Sequence, residues 1–521
     1  MMNRSLPFSF LSLPLAFALF VPGFAMAQAA APAEADPAVG QSARNWQITP
    51  SIAIDGTYTD NVNLSANNKT ADFITRISPG IRLAGKSARA SASLDYQWQH
   101  YAYATSSARS NQQQSLAASG RLELVEQWLF LDASHNISQQ ATSAFGTQGV
   151  GNELINTNRT QVSSYRLSPY IQGRLARFAD YQLRYSGTHT SADTGALSGA
   201  ATTTESWNGQ LAGVTPLTLL SWAVNVDSMT INHASGLKNQ NDRLYGTLTY
   251  LVAPSLRLSV SAGNESDNFL AGVERKKGTS GLGAEWAPTE RTKVALRKDS
   301  RSFGDSFSAD FTHRTALSAW RLSDSRSVRV PTADLAQGSR GTIYDLLYLQ
   351  LTSAFPNPLE RAAEVERQLA LAGIPANAQV FGPALTSQAF IERRQTASFT
   401  LTGVNNTVTF AADRSNSQRI GTGIGLIDDL SQNQEIRQSG FNANWAYKMT
   451  PHEVLTLSAL TSTSKGSNNA ETTLRSISLR LTTQLGVKTS ASVGLRQSHF
   501  EGTTGTGYDE QALTGAVQFK F

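Results

Sequence analysis

The sequence predicts an all-β chain: a transmembrane antiparallel β-barrel of about 22 strands, with 20 as the alternative count, carrying a short two-helix insertion. Three observations carry this. Runs of roughly 10–14 residues alternate apolar and polar side chains. The connections between runs fall into a short set and a long set. The last run alternates and ends on an aromatic residue, with Leu513, Gly515, Val517, Phe519 and Phe521 on one parity.

Composition agrees and excludes other classes. Charged residues make up 16% of the 521, well below the ~25% of a soluble chain. Cysteine is absent, which removes disulfide frameworks, thiolate nucleophiles and Cys-ligated metals. Lys and Arg exceed Asp and Glu by only 5, too little for a nucleic-acid partner at this length. With 22 Phe, 14 Tyr and 8 Trp, the chain does not read as disordered.

The first element is a secretory signal over residues 1–27. Arg4 precedes an apolar stretch from Leu11 to Phe20, then Pro22-Gly23, and Ala25-Met26-Ala27 places small residues where a signal peptidase reads, with cleavage before Gln28. Pro14 and Pro22 break the stretch, and a spanning helix needs ~20 apolar residues. Residues 28–44 form an Ala/Pro-rich disordered tail, and the barrel takes 45–521. The 17 residues of that tail are too few for a separate N-terminal plug domain.

The alternation then runs strand after strand. Phe73, Ile77, Pro79, Ile81 and Leu83 share one parity, with Arg76, Ser78, Gly80 and Arg82 on the other; Ile74 is an exception on the polar side. Ala90, Ala92, Leu94, Tyr96 and Trp98 oppose Arg89, Ser91, Ser93, Asp95, Gln97 and Gln99. Tyr181, Leu183 and Tyr185, and later Ile477, Leu479 and Leu481, repeat it. Short turns stand at Gly85-Lys86-Ser87, Ala253-Pro254-Ser255, Ala287-Pro288-Thr289-Glu290, Thr450-Pro451-His452-Glu453 and Gly486-Val487-Lys488. Long polar loops stand at 59–69, 140–160, 192–201, 266–277 and 414–434. Trp128, Trp286, Trp445 and Tyr447 lie beside short turns, as an interfacial aromatic girdle requires.

Twenty-two strands are counted from 46–58 to 507–521, an even number that puts both termini of the barrel chain on the periplasmic side. Residues 332–390 do not alternate. Ile343, Leu346, Leu347, Leu351 and Ala354 have helical spacing. Asn357 then caps and Pro358 starts a second helix through Leu359–Ala372, stopped by Gly373 and Pro375. Strand parity places this insertion outside the cell; with 20 strands it would be periplasmic. The turn signal Gly403-Val404-Asn405-Asn406 favours 22. On either side of the membrane, the insertion is a candidate cap or plug.

The mature start reads Trp46-Gln47-Ile48-Thr49-Pro50-Ser51, then Thr57-Tyr58-Thr59-Asp60-Asn61-Val62-Asn63-Leu64 and Phe73-Ile74-Thr75-Arg76-Ile77-Ser78-Pro79-Gly80. It resembles the outer-membrane barrels associated with exopolysaccharide and PEP-CTERM/exosortase systems of Gram-negative bacteria. The His313-Arg314-Thr315 to Trp320 stretch and Pro356-Asn357-Pro358-Leu359-Glu360-Arg361 look like further features of that family. The resemblance spans most of the mature chain. It implies an outer-membrane protein that secretes or assembles extracellular polysaccharide, with periplasmic export components as partners. Its motifs are structural and imply no catalytic residue.

The residues themselves point to no enzyme and no cofactor. The seven histidines are scattered, and neither Gly-x-Ser-x-Gly nor a phosphate-binding Gly-Lys-Ser/Thr loop is present. The inward parity is more informative. Arg76, Arg82, Arg89, Arg166, Arg174, Arg184, Arg257, Arg297, Arg480 and Arg496 fall on it, with Asp55, Asp95 and Asp132. That excess suggests a positive lumen that concentrates anions. Tyr101, Tyr170 and Tyr245 share the parity and are placed to stack on sugar rings. Phe519 and Phe521 are the expected barrel-assembly signal, read by the assembly machinery; outer-membrane lipids are the other partner. The function expected is exopolysaccharide export or assembly as a conduit; a general diffusion porin and a non-conducting structural partner are the alternatives.

Overall fold

The computed structural model describes residues 46–106, 109–176, 178–193, 201–217, 219–234, 236–269, 273–329, 342–351, 361, 364–365, 367–369, 386, 389–420, 428–503 and 507–521. The signal and tail expected over 1–44 lie outside the described residues, as does most of the insertion.

Alternation produces strands almost everywhere it was read. In order these are β1 Trp46–Thr59, β2 Asp72–Lys86, β3 Ala90–Tyr103, β4 Asn111–Val125, β5 Leu129–Ala141, β6 Arg159–Leu175, β7 Ala179–Ala192 and β8 Thr202–Val214. Next come β9 Leu220–His233, β10 Lys238–Ala253, β11 Leu256–Asp267, β12 Arg275–Thr289, β13 Thr292–Arg301, β14 Gly304–Arg314 and β15 Ser318–Arg329. After the insertion follow β16 Phe390–Thr402, β17 Asn406–Arg419, β18 Glu435–Thr450, β19 Glu453–Gly466, β20 Glu471–Gln484, β21 Thr489–Gly502 and β22 Gly507–Lys520. Each pairs antiparallel with the next. β22 closes on β1, from Ser51 opposite Lys520 to Thr59 opposite Ala512. Closure gives every strand a partner on both sides, the only way a sheet can stand in hydrocarbon. The tight turn between β16 and β17, where the Gly403 N–H donates to the Asn406 carbonyl at 2.6 Å, separates the 22-strand barrel from the 20-strand alternative.

The outer face is apolar. Ile54, Ile77, Ile81, Leu248, Val260, Leu282, Leu479 and Leu495 are exposed on it. At the end with short turns (the turn end), Trp46, Trp128, Trp286, Trp320 and Trp445 form the girdle. Trp128 Nε1 donates to the Tyr181 hydroxyl at 3.0 Å and Trp445 Nε1 to Asn406 Oδ1 at 2.9 Å. Phe519 and Phe521 lie on this outer face. The opposite end (the loop end) is less uniform than expected. Long loops stand there, yet only Ser302 and Phe303 join β13 to β14, and Gly304 at φ +111° makes that turn sterically accessible. Ile74, the exception to alternation, is 1% exposed and packs inward with Val62, Tyr101 and Tyr103 beneath the β1–β2 loop.

The insertion departs from its expected place. Its chain leaves β15 at the loop end, as parity requires, and helix α1 spans Thr342–Gln350. Yet Gln350 Nε2 donates to the Leu317 carbonyl at 3.1 Å, and its Oε1 accepts from the Thr402 hydroxyl at 3.2 Å. Leu317 and Thr402 belong to the turn end. Helix α1 therefore lies inside the barrel and reaches its turn end, which corrects the expectation that the insertion lies outside the cell. Residues 361, 364–365 and 367–369 are helical, and Val365 and Leu369 pack on Tyr344 and Leu347 of α1. The inward residues Ala319, Ser398, Thr400, Thr409, Ala411, Asn444 and Thr456, on β15–β19, are all buried. The reason is geometric. A 22-stranded cylinder with strands ~4.8 Å apart and tilted ~40° is about 40 Å across, too wide for wall side chains to fill. The small side chains of this wall leave room for the apolar face of the insertion.

Candidate functional site

The lumen wall is built by parity. Side chains two residues apart on each strand stack along the inside, and register sets their neighbours across strands. Charge clusters result: three carry the predicted arginines, and a fourth on β15–β17 joins Arg394 to Asp413 at 3.5 Å and Arg329 to Glu392 at 3.4 Å.

In the first, Arg76 pairs with Asp55 at 2.8 Å, and Arg496 pairs with Glu153 at 2.8 Å and Glu510 at 2.7 Å. Arg480 stands in the field of Asp55, Arg76, Glu153 and Arg496. Glu153 comes from the β5–β6 loop, which crosses toward β20–β22. There Tyr508 donates to the Gln148 carbonyl at 2.6 Å, Thr472 to the Ala144 carbonyl at 3.0 Å, and Tyr103 to the Glu153 carbonyl at 2.8 Å. Arg159 is satisfied by the Gly149 and Gly151 carbonyls and Asn152 Oδ1. Burial alone would raise the Glu153 carboxyl, but Arg496 beside it holds it below the usual carboxylate range. A second anchor for the loop is α2, Asp429–Gln432, where Asp429 accepts from Ser143 Oγ at 2.7 Å and from the Ala144 N–H. Burial pushes the Asp429 carboxyl up, only partly offset by those bonds, and burial likewise raises Asp428.

In the second cluster, Arg297 pairs with Asp299 at 2.7 Å, Arg243 with Asp299 at 3.4 Å and Arg301 with Glu265 at 2.5 Å. In the third, on β4–β7, Asp132 accepts from Arg121 at 2.9 Å and from Arg184 at 2.8 Å, with Arg166 nearby.

Placement of the sequence-predicted residues is thus mixed. Nearer the turn end, Arg82 pairs with Asp95 at 2.6 Å, Arg89 with Glu126 at 3.1 Å, Arg174 with Asp180 at 2.8 Å and Arg257 with Glu285 at 3.6 Å. Most of the ten arginines therefore meet carboxylates, and the lumen is a patchwork of paired charges. Among the described residues, Arg166 and Arg480 have no carboxylate within ion-pair distance. The tyrosines are covered. Tyr170 lies between Phe130, ring to ring at 5.0 Å, and the Arg184 guanidinium at 3.8 Å. Tyr245 lies under Arg243 at 4.1 Å, and Tyr101 is fully buried with its hydroxyl donating to Gln99. Tyr170 and Tyr245 act as platforms for arginines, and none of the three offers an open face to a sugar.

Residues missed in the sequence were Arg121, Arg243, Arg301, Glu265, Asp299 and Glu510, all readable from the same parity. Glu153 sits in a loop where no pattern marks it. Among the described residues, no group of three or more His, Asp or Glu side chains is placed to hold a metal ion.

Residues 35–191 match the family described as "Putative beta-barrel porin 2". Similar solved structures include the siderophore receptor PirA from Pseudomonas aeruginosa, 10% identical, covering 91% of this chain and 80% of that chain at a TM-score of 0.38. PirA from Acinetobacter baumannii is 8% identical over 91% and 80% of the two chains, at 0.44. The outer membrane protein opdK from Pseudomonas aeruginosa is 9% identical over 91% and 99%, at 0.33. No curated protein matches the sequence. The closed apolar-faced cylinder is a porin-like outer-membrane β-barrel, a fold that belongs to the outer membrane of a Gram-negative bacterium.

Proposed function

We propose that the protein serves exopolysaccharide export or assembly as a conduit, in a system of the PEP-CTERM/exosortase type. The observation that carries this reading is the uncovered half of the lumen. On β4–β8, Ser119, Gln172, Asn208 and Gln210 are inward and open to the channel. Gln210 donates to Asn225 Oδ1 at 3.1 Å and Asn208 to Asp227 Oδ1 at 3.0 Å. A strip of amides and hydroxyls exchanges hydrogen bonds with sugar hydroxyls at little net cost, so a hydroxyl-rich polymer slides rather than sticks. The resemblance of the Trp46–Leu64 and Phe73–Gly80 segments to barrels of such systems supports the same reading. On it, no residue does covalent chemistry, and the partners are the barrel-assembly machinery, outer-membrane lipids, the polymer and periplasmic export components.

The match to a porin family favours a second reading, a diffusion porin for small solutes. Deletion of the gene followed by chemical analysis of surface and secreted polysaccharide separates the two. The conduit reading expects loss of one polymer; unchanged polymer, together with conductance in planar bilayers, leaves the porin.

A further inference from the structure

The three clusters that carry the predicted arginines differ in balance. In the first, Arg76, Arg159, Arg480 and Arg496 meet Asp55, Glu153 and Glu510, and Arg159 is capped by loop carbonyls. In the second, Arg243, Arg297 and Arg301 meet Asp227, Glu265 and Asp299. The third sets Arg121, Arg166 and Arg184 against Asp132 alone. Asp132 is already used: Oδ1 accepts from Arg121 Nε and Oδ2 from Arg184 Nη1. Arg166 lies in the field of Asp132 but makes no ion pair with it, and its cross-strand neighbours are Ser134 and Thr188, both uncharged. The Tyr170 ring fixes the plane of Arg184. Three forked donors thus converge with two uncompensated charges.

The location makes this excess functional. β4–β7 stands eleven strands from β15–β18, half of the 22-strand circumference. The described helix α1 packs on β15–β17, so the arginines stand on the wall opposite it. Arg121 is 59% exposed there and Arg184 22%.

We propose that Arg121, Arg166 and Arg184 form an anion-binding site for the carboxylate of an acidic sugar, a uronate, passing along the open wall. This deepens the conduit reading and rests on it for the sugar. The carboxylate takes charge-assisted bonds from Arg166 and from guanidinium N–H groups that Asp132 leaves free. Flanking sugar hydroxyls meet the amides of the neighbouring strands. Because the site faces water, its affinity falls as ionic strength rises.

The experiment is calorimetric titration of the purified full barrel in nanodiscs with glucuronate, glucose and acetate at low salt. Glucuronate is expected to bind, with Arg166→Gln weakening it at least about tenfold, the loss of one charge-assisted contact. Glucose is expected not to bind, and acetate to bind more weakly than glucuronate. Arg480→Gln, on another wall, is the control and should leave the affinity within twofold. Heat-modifiable migration on gels confirms that each variant folds. Equal affinity for wild type and Arg166→Gln overturns the site, and equal affinity for acetate and glucuronate overturns the sugar. Failure of the two proposals is distinguishable: uronate binding with polymer secretion intact after gene deletion keeps the site and removes the export role, whereas lost secretion without uronate binding removes the site alone.

Discussion

The walls of β15–β19 and β4–β8 face each other across one lumen and have opposite characters. The first presents the small inward residues Ala319, Thr400 and Ala411, beside Arg321, Arg394 and Asp413, and its strands β15–β17 pack against α1. The second presents Arg121, Arg166, Arg184, Gln172 and Asn208 and is open. Both have the same apolar outer face, so lipid does not distinguish them. What differs is the solvent of the inner face: protein on one side, water on the other. A barrel of this width therefore need not be either empty or plugged. It can fill one half and keep a polar path along the other.

Removing the covering is expected to have the largest effect. A variant lacking residues 332–389, bridged by a short flexible linker, should conduct several-fold more in planar bilayers, because the filled half becomes water. Unchanged conductance would mean the insertion does not narrow the path.

Next is a paired substitution. Ala411→Arg places an unpaired cation under the insertion and should cost about 3–5 kcal/mol. Ala117→Arg, inward on the open wall, should cost less than about 0.5 kcal/mol. Urea unfolding of the refolded barrel, followed by tryptophan fluorescence, checks both; equal costs would erase the distinction between the walls.

The β5–β6 loop offers a pH test. The carboxyls of Asp428 and Asp429 are raised above their unfolded values. Their protonated forms favour the folded anchor, a contribution present below the unfolded pKa and lost as pH rises through the folded one. Glu153 is depressed, so its contribution is present above its unfolded pKa and lost only in stronger acid, as pH falls through its folded pKa. Hydrogen exchange over 142–158 should therefore slow from neutral pH to mild acid, after correction for intrinsic rates, and Asp429→Asn should reduce the change.

The smallest effect is Gln350→Ala. It removes the two bonds tying α1 to the turn end and should cost about 1 kcal/mol, visible as added current noise.

Much of the architecture was legible because alternation is a local signal. Phe73 to Leu83 and Ile477 to Leu481 reveal a strand and its two faces without any knowledge of neighbours, and the Gly403–Asn406 turn settled the count. The insertion announced itself by losing alternation at Ile343 to Leu351. Its destination did not, because that depends on contacts such as Gln350 with Leu317 and Thr402, distant in sequence. No inward pattern marked it: β15–β17 carry the inward Arg321, Arg394 and Asp413 much as β4–β7 carry Arg121, Arg166 and Asp132. In the site, the inward face of Arg166, Arg184 and Arg496 followed from parity. Their balance did not, since Glu153 arrives from a loop and Asp132 is shared across three strands.

Thiol labelling compares the two walls within one experiment, and the natural chain contains no cysteine to confuse it. Ala117→Cys and Ala411→Cys are each reacted in proteoliposomes with a small water-soluble maleimide. Labelling at 117 at least about ten times faster than at 411 is expected from water on one wall and protein on the other, ten being the factor a 1.4 kcal/mol difference gives. Equal rates would contradict a lumen filled on one side and open on the other.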